Sequence, residues 1–192
     1  MSRHDRIGGC APGSAIEIRK LGLLRYRLRA WQVLSCHRER AFEFFKNPAN
    51  LCDITPAWLS FSMLDRSTEP PVREGAEYDY TIRWLGLSMG WRSRIIDYHP
   101  PERFTDIQLR GPYRSWVHVH TFIHVHEGTL MKDEVTYRIP LPALPVNGII
   151  RRQLRGIFTY RKRRIDAWVR SIAPEGRSGD AGDTEANHGA GQ

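Results

Sequence analysis

The sequence is short of cysteine, of lysine and of long apolar runs, and each shortage narrows what the chain can be. Its 192 residues hold three cysteines, Cys10, Cys36 and Cys52. Three thiols without paired spacing build neither a disulfide framework nor a zinc knuckle, so a reduced, cytoplasmic protein is expected. No stretch approaches the ~18 apolar residues of a membrane span, so no integral membrane protein is expected. The opening Met1-Ser2-Arg3-His4-Asp5-Arg6 leads into no apolar segment, and a secretory leader is not expected either. Also missing are a glycine-rich phosphate loop, a serine nucleophile elbow and a Cys–His pair at recognisable spacing, so no cofactor is expected. Of the 29 basic residues only Lys20, Lys46, Lys132 and Lys162 are lysines, and against 21 acidic residues the net charge is +8.

What is present reads as one globular domain. Hydrophobic residues make up 41% of the chain, and the length suits one unit with a sizeable core. Gly8-Gly9 and Ala11-Pro12-Gly13-Ser14 mark residues 1–20 as a flexible arm. After Ile172 nothing larger than alanine among the aliphatics appears, and residues 173–192 read as a disordered tail. The folded domain is then 21–172. Leu24, Tyr26, Leu28 and Ala30 alternate with Arg25, Arg27, Arg29 and Trp31, the period of a half-buried strand. Short helices are expected over 36–46, capped by Ser35, and over 48–54, divided by Asn47-Pro48. Six more strands are expected at 60–66, 77–84, 89–98, 104–110, 115–126 and 131–139, with hairpin-length connections that imply antiparallel pairing. Pro140 to Pro145 end the last strand, and 147–172 reads as helix.

That helix carries the strongest periodic signal. Ile150, Leu154, Ile157, Phe158, Ile165, Trp168, Val169 and Ile172 share one stripe. Arg161 falls near the middle of the same stripe, where an unpaired guanidinium is very costly. It must meet a protein carboxylate, with Asp106 and Asp133 as candidates, or an anionic group on a ligand, or else snorkel past the helix edge. The helix holds eight bases and one acid, Asp166. Arg151, Arg152, Arg155, Arg163 and Arg164 lie outside the centre of the stripe and form a basic face able to touch an anionic surface or nucleic-acid phosphates.

Two further patterns bear on chemistry. Trp116, His118, His120, Phe122, His124 and His126 alternate with Val117, Val119, Thr121, Ile123 and Val125. This is a strand whose inward face alternation alone leaves open. His118 and His120 stand on one side, roughly 6.6–6.8 Å apart along the backbone. Two imidazoles are too few for a zinc site, and no third ligand has recognisable spacing, although the sheet could bring Asp106 or Asp133 near, so no metal is expected. Tyr78, Tyr80, Ile82 and Trp84 share another strand face, suited to core or to an aromatic-lined pocket.

The order of strand, two short helices, six strands and long C-terminal helix resembles the START-like helix-grip superfamily (SRPBCC), in its polyketide-cyclase/dehydrase and lipid-carrier group. The resemblance runs from Asn47-Pro48-Ala49-Asn50-Leu51 to the last helix. It is carried by Phe104-Thr105-Asp106, Gln108-Leu109-Arg110-Gly111-Pro112-Tyr113, Trp116-Val117-His118-Val119-His120-Thr121-Phe122, Asp133-Glu134-Val135-Thr136-Tyr137 and Ile157-Phe158-Thr159-Tyr160-Arg161. It implies an α+β helix-grip fold: a curved seven-stranded antiparallel sheet around the long helix, with two short helices after the first strand. It also implies a cavity for a hydrophobic molecule such as a lipid, a polyketide or a quinone-like compound, with the Trp116, His118, His120 and Phe122 face as a wall. Tyr78, Tyr80, Trp84, Asp133, Tyr137 and Arg161 join that wall as ligand-binding candidates. Members of the superfamily either carry ligands or catalyse on them. In the catalytic alternative, a cyclase or dehydratase, His118 or His120 is the general base and Arg161 with Tyr137 stabilises an enolate. Both readings stay open at this level.

Overall fold

In the computed structural model, residues 15–63 and 71–172 are described, and they form one sheet closed over one long helix. The elements run β1 (Ala15–Gly22), β2 (Arg25–Leu34), α1 (Arg38–Lys46), α2 (Asn50–Asp53), β3 (Ser62–Met63), β4 (Glu77–Trp84), β5 (Leu87–His99), β6 (Arg103–Arg110), β7 (Ser115–Val125), β8 (Gly128–Arg138) and α3 (Asn147–Ile172). Every pairing is antiparallel, in the spatial order β1-β2-β8-β7-β6-β5-β4-β3. The helix-grip expectation holds, with one correction: the sheet has eight strands, not seven.

The additional strand is β1, inside the segment expected to be an arm up to residue 20. Ile16 and Ile18 alternate with Glu17 and Arg19, which is strand periodicity. As an edge strand β1 is only half-buried at best, so its pattern has little contrast. It pairs with β2 from Ala15↔Trp31 onward, with a bulge between Lys20 and Gly22. The two short helices therefore follow the second strand. Helix α1 starts after His37, with no side-chain cap, two residues beyond the start expected from Ser35. The expected strand over 60–66 is described only as β3, and the expected tail at 173–192 and residues 1–14 lie outside the described residues.

Helix α3 has 26 residues and is about 39 Å long at 1.5 Å per residue, enough to follow the concave face from end to end. It buries Ile150, Leu154, Phe158, Arg161, Ile165 and Val169, spaced three and four apart. The first three pack with Leu28, Val135, Tyr137 and Ile139. The last two pack with Phe42, Phe45, Phe104, Phe122 and Met131. Arg161 sits where one apolar cluster gives way to the other. Asn147 donates from Nδ2 to the Tyr26 hydroxyl at 2.8 Å, fixing the start of the helix on β2. None of the helices among the described residues is long and apolar enough to cross a membrane.

The hairpin joining β7 to β8 turns at Gly128, whose φ of +129° is open only to glycine. A Cβ there would run into the carbonyl oxygen of Leu34 and crowd the backbone of Cys36. Gly128→Ala is expected to cost about 2 kcal/mol or more in urea unfolding, from backbone strain plus that collision. A variant as stable as the parent would contradict this placement of the turn.

Candidate functional site

Strand β7 settles which of its faces is inside. Trp116, His118, His120 and Phe122 are buried, whereas Val117 and Ile123 are 38% and 36% exposed. Hydrophobicity alone would favour the opposite. The imidazoles can be inside because both neighbouring strands supply carboxylates at matching positions. Register puts Asp106 of β6 directly opposite His118, and Asp133 of β8 directly opposite His120.

The four side chains alternate in a closed ring. Well-aligned hydrogen bonds run along the diagonals, from His118 Nε2 to Asp133 Oδ1 at 3.0 Å and from His120 Nε2 to Asp106 Oδ2 at 3.2 Å. The directly opposed contacts are His120 Nδ1 to Asp133 Oδ1 at 2.8 Å and His118 Nδ1 to Asp106 Oδ2 at 3.3 Å. The 2.8 Å contact is close but lies off the N–H axis, so it counts as an ion pair and not as an aligned hydrogen bond. The two rings lie 3.8 Å apart between centroids. His120 also stacks on Phe104 at 4.4 Å, and His118 meets the edge of Phe158 at 5.7 Å.

Proton bookkeeping follows from these distances. Both Nε2 atoms donate, so each ring carries at least one proton. A bare lone pair at Nδ1 would be repelled more strongly on His120, 2.8 Å from a carboxylate oxygen, than on His118 at 3.3 Å, so the further proton goes to His120. His120 is therefore the imidazolium of the pair. Burial opposes its charge, but hydrogen bonds and attraction from Asp106 and Asp133 outweigh burial and raise its pKa. His118 goes the other way: burial, then the charge of His120, lowers its pKa despite both aspartates. Burial would raise the carboxyls, yet the two histidines hold Asp106 and Asp133 below the usual carboxylate range. Two aspartates and one imidazolium leave the ring at −1.

Arg161 supplies the balancing positive charge. It is 8% exposed, with Cζ 5.3 Å from the Phe158 ring centroid, and its charge also lowers the Asp106 pKa. It forms no ion pair with Asp106 or Asp133. Its buried Nε and Nη1 have no hydrogen-bond partner among the described residues. Of the fates the sequence left open for this guanidinium, neither the direct protein salt bridge nor escape past the helix edge is adopted.

A cavity of about 180 Å³ opens beside it, between the sheet, α3 and the α1–α2 segment. Of the expected wall residues, Tyr78, Tyr80, Trp84, Trp116, His118, His120 and Arg161 line it. Three do not. Phe122 packs behind the wall on Phe42 and Phe45. Asp133 stands behind the two imidazoles, which cover it from the cavity. Tyr137, fully buried, is stacked on Tyr26. Sequence reasoning did not place Trp91, Ser93, Asp106 and Tyr113 on the wall. Their signal was available: Trp91, Ser93 and Ile95 alternate along β5, and Phe104 and Asp106 along β6. Burial and the charge of Asp106 push the pKa of the Tyr80 hydroxyl up.

Asp106, His118 and His120 bring three potential ligand atoms within 4.8 Å of one another, the single such group among the described residues. A cation there would have to replace the N–H protons that hold the ring together, and would stand near the Arg161 charge. The donor set suits protons better than a metal.

With this architecture the protein has the START-like helix-grip fold. Comparison with solved structures bears out that fold. The aromatase/cyclase di-domain StfQ from the steffimycin biosynthetic pathway superposes with a TM-score of 0.60 at 17% identity, over 77% of this chain and 52% of that one. A protein from Rhodobacter sphaeroides gives 0.57 at 18% identity, over 82% of this chain and 99% of that one. The major latex-like protein 151 of Panax ginseng gives 0.55 at 16% identity, over 76% and 97%. At such identities the likeness is one of fold. No protein-family model matches the sequence, and no curated protein matches it.

The two histidines should titrate on opposite sides of the free imidazole value of ~6.5 in NMR, His120 above and His118 below. The contribution of His120 to stability is complete below ~6.5 and is lost as pH rises through its raised value. That of His118 is present above ~6.5 and fades as pH falls. Asp133→Asn should cost about 3–5 kcal/mol, because it strands a buried imidazolium, and should bring the His120 midpoint down. A His120 that titrates below free imidazole would overturn the charge assignment.

Proposed function

We propose that the protein binds a compact hydrophobic molecule, flat and cyclic, whose anionic or carbonyl oxygen is met by Arg161. One observation carries this reading. A buried guanidinium with two nitrogens unpartnered among the described residues lines a cavity whose walls are mostly aromatic and aliphatic. A buried donor left unmade costs roughly 1–3 kcal/mol, and more when charged, so a ligand acceptor at this point repays what the empty site forfeits. Tyr78, Tyr80, Trp84, Trp91, Tyr113 and Trp116 supply flat apolar walls for a ring system. The cavity of about 180 Å³ is somewhat larger than the ~150 Å³ engineered void that admits benzene, which suits one or two rings. Among lipid, polyketide and quinone-like candidates, size favours a small quinone-like or aromatic acid ligand. The solved relatives, a polyketide aromatase/cyclase and a latex-like protein, support this reading at the level of fold.

The alternative, a cyclase or dehydratase with His118 or His120 as general base, asks a ring nitrogen to take a substrate proton. All four ring nitrogens lie within 3.3 Å of a carboxylate oxygen, so a substrate proton would have to go to a nitrogen already turned to an aspartate. That arrangement favours binding over catalysis.

Native mass spectrometry of the purified protein is expected to find an apolar molecule of one or two rings. Quenching of cavity tryptophan fluorescence should report binding of a naphthoate more strongly than of uncharged naphthalene. Arg161→Met should weaken the naphthoate at least ~10-fold, the effect of losing a charge-assisted hydrogen bond, while naphthalene changes little. Arg161→Lys keeps the charge balance and controls for misfolding. Equal losses for both probes, or no binding of either, would sink the proposal.

A further inference from the structure

We infer that the end of the molecule around the first turns of α3 is a docking face for anionic lipid membranes. Large apolar side chains are exposed there together: Leu23, Trp58, Leu87, Leu141, Leu144 and Ile149, from 45% to 71% accessible. Their proximity follows from backbone and side-chain contacts. Leu24, next to Leu23, accepts from the Ile139 amide, two residues before Leu141. Leu141 and Leu144 lead into the helix that begins at Asn147 and carries Ile149. One turn further, Gln153 reaches the carbonyl of Arg83 at 3.5 Å, on the strand whose Trp84 pairs with Leu87. Trp58 lies over Gly156, its ring 3.6 Å from where a Cβ would stand.

Scattered exposed apolar residues are normal, but a group of six on one end marks an interaction site. The charge around it identifies the partner. Residues 135–165 contain no Asp or Glu, although they contain Arg151, Arg152 and Arg155, all exposed and none in an ion pair among the described residues. Arg83 and Arg25 add exposed bases on the neighbouring strands. Apolar side chains inside a rim of arginines match an anionic bilayer: the side chains enter the headgroup region and each base near the surface gains about 1 kcal/mol. Nucleic acid offers phosphates but nothing for the leucines, and a protein partner would need acidic complements that leave five aliphatic side chains unexplained.

The same face borders the cavity, since Gln153, Ile157, Trp84 and Leu59 are lining residues. A hydrophobic ligand could therefore pass between bilayer and cavity without crossing water. The docking itself does not depend on the ligand, so the two proposals fail separately.

The test is co-sedimentation of the full chain with phosphatidylcholine vesicles, with and without phosphatidylglycerol, at low and high salt. Binding to the anionic vesicles that falls with salt is expected, with little binding to neutral ones. Arg152→Glu with Arg155→Glu should weaken it at least ~10-fold. Leu141→Ser with Leu144→Ser should weaken it by a similar factor without a change in melting temperature, because both side chains already face water. Naphthoate binding in vesicle-free solution should be untouched in either double variant. Absence of anionic-vesicle binding, unchanged binding in the leucine variant, or tighter salt-sensitive binding to duplex DNA than to vesicles would overturn the inference.

Discussion

The alternation of imidazole and carboxylate across β6, β7 and β8 is the interaction on which the rest of the inner face depends. A sheet that closes over a helix would ordinarily be apolar on its concave side. Here the middle of that side is polar, and it stays buried because one oxygen of each carboxylate serves two ring nitrogens. Burial of any one of the four alone would be prohibitive. The set is tolerable because one imidazolium and one guanidinium offset two carboxylates. That equality ties residues on three adjacent strands to one helix position.

The polar centre also explains why there is room for a guest. Helix α3 packs apolar side chains near both its ends, and Arg161 interrupts the stripe between them. Apolar packing cannot continue across a guanidinium that needs space for acceptors, so the two clusters stay apart. The aromatics of β4, β5 and β7 fill the margins but do not close the gap. Cavity and charge therefore have a common cause.

Much of this was legible in the residues themselves. The stripe on α3 and the strict alternation of Trp116 to Phe122 survive intact, because each is a long pattern of period 3.6 or 2. Arg161 could be singled out from its place on the stripe alone. The face of β7 could not, since valines and imidazoles alternate equally well in either direction. What decides it is Asp106 and Asp133, far apart in the chain and brought to His118 and His120 by strand register. Phe122, Asp133 and Tyr137 share the inner face with the wall residues, yet neighbours screen them from the cavity; periodicity reports the face and not the depth. Strand β1 escaped because, at the edge, Ile16 and Ile18 are only partly buried and so is Glu17 between them, which flattens the contrast that periodicity needs.

That edge strand has its own bearing on how the protein behaves in company. Among the described residues nothing pairs with the outer backbone of β1, and such a row of donors and acceptors is the kind on which another chain can template itself. Its outward presentation is spoiled three times over: by Glu17, Arg19 and Lys20 along the strand, by the bulge between Lys20 and Gly22, and by its departure into the turn at Leu23. Any copy arriving in register as an antiparallel neighbour would meet charge and an irregular ladder. The strand that completes the sheet thereby also limits it, and keeps a long β-structure from growing by addition of its own kind.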